Sequence, residues 1–138
     1  MIRRTTIGLA VAGALAAAAG GAASTAGSAV RAADSKPPSQ TIFASSSQQV
    51  NRLYLLITVH ESGTLRVTAT ASGKRFRTVR KKVTQHIPSQ VYPKLSTSAL
   101  RSVRNAIKRH TVYATVKSTG RDSSGNSRTY TKRIKLRR

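Results

Sequence analysis

Apolar and polar residues alternate over most of the chain beyond residue 40, and the alternation is clearest at the C-terminal end. Val112, Ala114 and Val116 share one face of an extended run over 111–118. Tyr130, Ile134 and Leu136 share one face of a second run over 128–136. A period of two is the mark of half-buried strands. The linking stretch, 120–127, is rich in Gly, Ser, Asn and Asp, which tolerate positive φ or bond their own backbone. The pattern therefore predicts a hairpin. Lys132 falls on its inner row, which a strand tolerates only near a sheet margin.

The same period runs through 52–61, the most hydrophobic part of the chain outside its first thirty residues. There Leu53, Leu55, Ile57 and Val59 lie on one face and Tyr54 and Leu56 on the other, as a central strand would place them. His60, Glu61, Ser62 and Gly63 read as a turn, with Gly63 free to take positive φ. Leu65, Val67, Ala69 and Ala71 then alternate with Thr64, Arg66, Thr68 and Thr70. Two such runs about a Gly-containing turn predict another hairpin. Residues 41–44 suit a short first strand and 45–49 a polar loop.

Two segments depart from this regularity. Over 74–86 Phe76 and Val79 differ in parity, which predicts a bulge or break near Thr78. Residues 91–95 form a short extended piece, placed at a sheet edge by Pro93. One stretch changes period. Leu100, Val103 and Ile107 recur at i, i+3 and i+7, with Ala99 and Ala106 beside them, and predict a helix over 96–109. Ser96 suits the N-cap, Leu95 and Leu100 the hydrophobic staple, and Lys108, Arg109 and His110 the negative end of the helix dipole. The expected fold is mainly β, a sandwich of about seven strands with one short helix before the C-terminal hairpin.

The first thirty-odd residues stand apart. Arg3 and Arg4 precede an uncharged run over 7–19, and small residues follow through Ala29. That order is the layout of a secretory signal peptide. The preferred cleavage follows Ala32, with cuts after Ala23, Ala26 or Ala29 as alternatives. A membrane anchor would need roughly 20 strongly apolar residues, and this run is shorter and rich in alanine. A twin-arginine signal fits less well, because Ile2, Thr5 and Thr6 match its surroundings poorly. The predicted organisation is a signal peptide over 1–32, a polar lead with a short first strand over 33–49, and a sandwich core over 50–138. The expected location is secreted, extracellular or associated with the cell envelope.

Charge then becomes the dominant feature. The chain of 138 residues has 25 Lys and Arg against 3 Asp and Glu, a formal net charge of +22. Without residues 1–32, which hold Arg3, Arg4 and Arg31, the charge is still +19. Such an excess attracts polyanions. With no Cys, disulfides and thiolate metal sites are excluded.

The remaining chemistry is sparse. Asp34, Glu61 and Asp122 are the only acids, and the last two read as turn residues rather than a catalytic pair. His60, His86 and His110 have no metal-ligand spacing. No Gly-x-Ser-x-Gly elbow and no phosphate-cradling glycine loop is present. The chain is therefore read as a non-enzyme without cofactor or small-molecule substrate. Two basic clusters are the candidate binding residues. One comprises Lys74, Arg75, Arg77, Arg80, Lys81 and Lys82, and the other Arg101, Arg104, Lys108 and Arg109. Arg101, Arg104 and Lys108 share a helical stripe, and Arg75 and Arg77 would share a strand face. Partners of matching chemistry are anionic cell-wall polymer or a membrane surface. Nucleic acid is the weakest fit, because few aromatic residues are available for stacking on bases. A solvated, merely soluble surface is the plain alternative.

Four features occur in an order that resembles exported bacterial Ig-like β-sandwich modules of actinobacterial type. They are Pro37-Pro38, the turn from Glu61 to Leu65, the helix entered at Leu95 and Ser96, and the loop from Asp122 to Asn126 ahead of a Thr- and Arg-rich strand. The resemblance spans 33–138. It implies an Ig-like sandwich in an extracellular setting, acting as a structural or interaction module of the cell surface. The alternative is a soluble cationic effector that binds polyanions outside the cell. Without the Cys pair and Trp of antibody domains, no immune-type role follows.

Overall fold

Nine strands and one helix make up residues 36–138, the part of the chain that this computed structural model describes. The export segment expected over 1–32 lies outside the described residues. In chain order the elements are β1 (Gln40–Phe43), β2 (Ser47–Gln49), β3 (Leu55–Val59), β4 (Gly63–Ala71), β5 (Lys74–Arg75), β6 (Val79–Val83), β7 (Ser89–Val91), α1 (Thr97–Arg109), β8 (Tyr113–Asp122) and β9 (Ser127–Arg137). The smaller sheet has the order β1-β3-β7, all antiparallel. The larger runs β2-β9-β8-β4, and β5 and β6 share the far edge of β4. The fold is thus mainly β, a sandwich of two sheets, with nine strands against the expected seven, three of them only two or three residues long.

Alternation places the core. Leu55, Ile57 and Val59 of β3 are buried, as are Leu65, Val67, Ala69 and Ala71 of β4. With Ala114 and Val116 of β8 and Ile134 and Leu136 of β9 they form one cluster. β3 and β4 do not pair with each other, contrary to the expected hairpin. β3 lies between β1 and β7, whereas β4 pairs β5, β6 and β8. The bend at His60 and Glu61 carries the chain from one sheet to the other, and both strands turn their apolar faces to the same core. Nor does Gly63 use positive φ; among the described glycines Gly73 and Gly125 do. Gly63 is needed for closeness, since a Cβ there would fall on the backbone of Arg121 and Asp122.

The break expected near Thr78 separates β5 from β6. It lets Phe76 turn inward, 1 % exposed, while its amide still donates to the Ala69 carbonyl at 2.9 Å. β7 is an edge strand and ends at Val91, ahead of Pro93. Ser96 caps α1, its Oγ accepting from the Ala99 amide at 3.3 Å. Val103 is fully buried, and Leu95, Leu100, Ala106 and Ile107 pack around the core.

Stretch 40–49, read from the sequence as a lead with a short strand, supplies one strand to each sheet. Gln40 is buried, and its Nε2 donates to the Ser118 carbonyl at 2.9 Å while the Ser118 Oγ donates to Gln40 Oε1 at 2.6 Å. That pair ties β1 to β8 across the sandwich. Two lysines tie its open edges. Lys132 Nζ donates to the Ile42 carbonyl at 3.2 Å, and Lys81 Nζ to the Gln90 carbonyl at 2.9 Å. The inner-row Lys132 is tolerated because β2 covers β9 only over Ser47 to Gln49, leaving the edge beside Lys132 open.

The C-terminal hairpin pairs out to Arg121 and Ser127, so its loop is shorter than the expected 120–127. Asp122 organises that loop. Its Oδ1 accepts from the Asn126 amide at 2.9 Å and its Oδ2 from the Asn126 side chain at 3.0 Å. Burial raises the affinity of its carboxyl for a proton, but hydrogen bonds from the Asn126 side chain and from the amides of Asn126, Ser124 and Gly125 outweigh it. The carboxyl is therefore held below its ordinary value. The stability this gives is present above the unfolded value of about 4 and is lost as pH falls through the folded one. Urea midpoints between neutral and strongly acid pH should show that loss, and Asp122→Asn should remove it; an unchanged acid limb in the variant would show that the loop does not depend on this carboxylate.

Candidate functional site

All ten candidate cations are exposed, but the fold divides them differently from the sequence. Arg101, Arg104 and Lys108 do share one stripe of α1, joined by Thr97, Asn105 and the terminal Arg138 around a shallow hollow. Arg109 stands in the last turn of the helix. Arg77 lies in the break rather than on a strand, with its amide bonded to the Lys94 carbonyl at 2.8 Å, so it does not share a strand face with Arg75. Lys74 and Arg75 form β5, the strand against which α1 lies. Lys81 alternates away from Arg80 and Lys82, and its ammonium bridges the two sheets at Gln90.

Arg80 and Lys82 belong instead to the water-facing side of the larger sheet. Strand register sets out that face in rows. From β6 through β4 and β8 to β9, the first row is Lys82, Thr64, Arg121 and Ser127. The second is Arg80, Arg66, Thr119 and Thr129. The third, starting at β4, is Thr68, Lys117 and Thr131. The fourth, starting at β5, is Arg75, Thr70, Thr115 and Arg133. Every one of these side chains is a cation or a hydroxyl. Adjacent strands lie about 4.8 Å apart and rows about 7 Å apart, so the face is a dense grid of charge and hydrogen-bonding groups. Thr119 and Thr129 bond each other at 2.7 Å. The Arg133 guanidinium lies over the Tyr113 ring at 4.6 Å, a cation–π contact at the end of the fourth row.

Arg66, Lys117, Arg121 and Arg133 were not among the sequence candidates. Each is scattered in the chain and joins the others only through register. Their one visible signal is alternation, which puts Arg66 with Thr64, Thr68 and Thr70 on the side away from the core. Two hollows mark the grid, one over the first two rows and one over the last two.

The outer face of the smaller sheet is different. Phe43, opposite Leu56, is 58 % exposed, and Tyr92, 52 % exposed, packs on Tyr54 with ring centroids 5.2 Å apart. His60 and His86 meet edge to face at 5.5 Å, and His110 caps the end of α1. Among the described residues no group of three or more His, Cys, Asp or Glu is arranged to hold a metal ion, and no helix is long and apolar enough to cross a membrane. No protein-family model matches the chain, and no curated protein sequence matches it.

Proposed function

We propose that this protein is an exported, non-enzymatic interaction module whose ligand is an anionic polymer of the cell envelope. The observation that carries this reading is the grid on the larger sheet, where cations alternate with hydroxyls and no acid interrupts them. Beyond residue 35 the chain has only Glu61 and Asp122 as acidic side chains, and the Asp122 carboxylate is turned into its own loop. The uncompensated charge favours association with polyanions. A polymer that displaces condensed counterions gains affinity at low salt and loses it steeply as salt rises. An open, charged face suits a long ligand better than a small substrate, which supports binding rather than catalysis. The resemblance to exported Ig-like modules supports the extracellular setting.

A structural role at the cell surface is the second reading. The apolar outer face of the smaller sheet favours it, since Phe43, Leu56, Tyr54 and Tyr92 form a surface suited to another macromolecule. Fractionation separates the two. Release of the native protein from envelopes by salt supports the polymer reading, and retention in high salt supports the structural one.

The helix stripe gives a direct test. Replacing Arg101, Arg104 and Lys108 with Gln is expected to weaken binding to teichoic-type polymer and to flatten its dependence on salt. For a nucleic acid the log–log slope falls by roughly 0.9 for each phosphate no longer neutralised; for wall polymer the same direction is expected. Melting should be unchanged, because all three side chains face water. Equal affinity in the variant and the parent would remove the helix from the binding surface.

A further inference from the structure

Arg66 of β4 stands directly opposite Arg80 of β6 on the water-facing side of the larger sheet. Like charges in directly opposed cross-strand positions work against folding. Thr64, in the next row, has Lys82 on one side and Arg121 on the other. Four cations therefore crowd two adjacent rows, and together with Lys81, Thr64 and Thr119 they line one hollow. None of the side chains in these two rows is acidic, so the repulsion is not relieved from within the face. Proteins retain such local conflicts at functional sites, and an anion from outside would relieve this one.

The chemistry of that outside group follows from the donors. Arg66, Arg80 and Arg121 each present a planar fork of N–H groups that grips an oxyanion through two parallel bonds. Lys82 adds a point charge, and the threonine hydroxyls add neutral donors. A tetrahedral oxyanion with several acceptor oxygens satisfies this set more fully than a planar carboxylate does. Lys117 and Arg75 continue the cations along the sheet in the following rows. Their spacing of about 7 Å from row to row suits successive charged groups of one chain.

We propose that the hollow bounded by Arg66, Arg80, Lys82 and Arg121 is a defined site for phosphate groups of a linear phosphate-bearing polymer. This rests on the polyanion reading and narrows it from a diffuse basic surface to one face and one chemistry. The site lies on the larger sheet, apart from the stripe of α1.

The test is an amide-resonance titration of the purified protein with sodium tripolyphosphate at low salt, run on the parent, on Arg66→Gln and on the helix triple variant. Shifts are expected to concentrate at 64–66, 80–82 and 119–121. Arg66→Gln should weaken binding about tenfold or more, as loss of a charge-assisted bond does, and should leave the melting temperature equal or higher because a repulsion is removed. The helix variant should lose less affinity for tripolyphosphate than Arg66→Gln does, although it removes three cations rather than one. Polyglutamate should bind more weakly than a phosphate polymer of equal charge, because each carboxylate offers fewer acceptor oxygens than a phosphate. Shifts confined to α1, an Arg66→Gln protein that binds as tightly as the parent, or polyglutamate binding equally well would each overturn the site. If teichoic-type polymer still bound in those cases, the broader polyanion reading would stand. Absence of binding to both tripolyphosphate and polymer at low salt would overturn both.

Discussion

Replacing Ile57 with Asp is expected to abolish cooperative folding. Ile57 is the middle residue of β3, the central strand of the smaller sheet, with Ile42 on one side and Ser89 on the other. It is 0 % exposed and belongs to the single apolar core. The substitution removes a buried aliphatic side chain and puts a carboxyl in its place, with the Lys and Arg residues on the surface rather than in this core. Stranding a charge without a partner costs about 3–5 kcal/mol or more, and neutralising it by protonation still leaves an unsatisfied polar group. Domains of this size have about 5–15 kcal/mol in total. Ile57→Val at the same position should cost only about 0.5–1.5 kcal/mol, which separates loss of packing from burial of charge. Cooperative melting of the Asp variant near the parent temperature would show that Ile57 is not at the centre of the core.

Gly63→Ala should produce the next largest loss of stability, about 1–3 kcal/mol by the usual measure of overpacking. The new methyl would overlap the Arg121 carbonyl and lie 2.9 Å from the Asp122 Cα. Both neighbours are backbone, so neither can swing aside as a flexible side chain would. Relief requires β4 and β8 to separate where Gly63 pairs Asp122, which also loosens the loop that Asp122 organises. Urea denaturation should show a lower midpoint, and hydrogen exchange should speed first at Arg121 and Asp122. A midpoint equal to that of the parent would show that the strands do not approach so closely.

Much of the fold is legible in the chain because burial follows period two. Leu53 to Val59, Leu65 to Ala71 and the two arms of the hairpin place their inner residues as the alternation predicts, and α1 follows from the spacing of Leu100, Val103 and Ile107. Alternation fixes which face of a strand is buried but not which strand lies beside it. That is why β3 and β4, consecutive and both strongly patterned, read as a hairpin and instead belong to different sheets. The role of Gln40 was hidden for a similar reason. Its partner Ser118 is 78 positions away, and nothing local marks either residue as buried. For the basic surface, helical spacing was enough to group Arg101, Arg104 and Lys108. The grid was not visible, because Arg66, Arg80 and Arg121 become neighbours only through register. Parity alone could have separated Lys81 from Arg80 and Lys82, since consecutive strand residues point to opposite faces.

On the proposed reading, the grid sets a stability cost against a binding gain. Its cations repel one another, and a polyanion that neutralises several at once would supply the gain. Charge on this face should therefore be the property that most strongly affects affinity, while the core residues determine whether the face exists at all. The most direct measurement is the affinity of the protein for teichoic-type polymer, with anionic vesicles and DNA as comparators, between about 50 mM and about 200 mM salt. Clear binding to the polymer is expected at the lower salt, with affinity falling across that interval; for DNA, about four neutralised phosphates correspond to a fall of roughly a hundredfold. The fall should be shallower once Arg66, Arg80, Lys82 and Arg121 are replaced with Gln. Absence of binding at the lower salt, or a fourfold variant that binds and responds to salt as the parent does, would contradict a polyanion-binding role for this face.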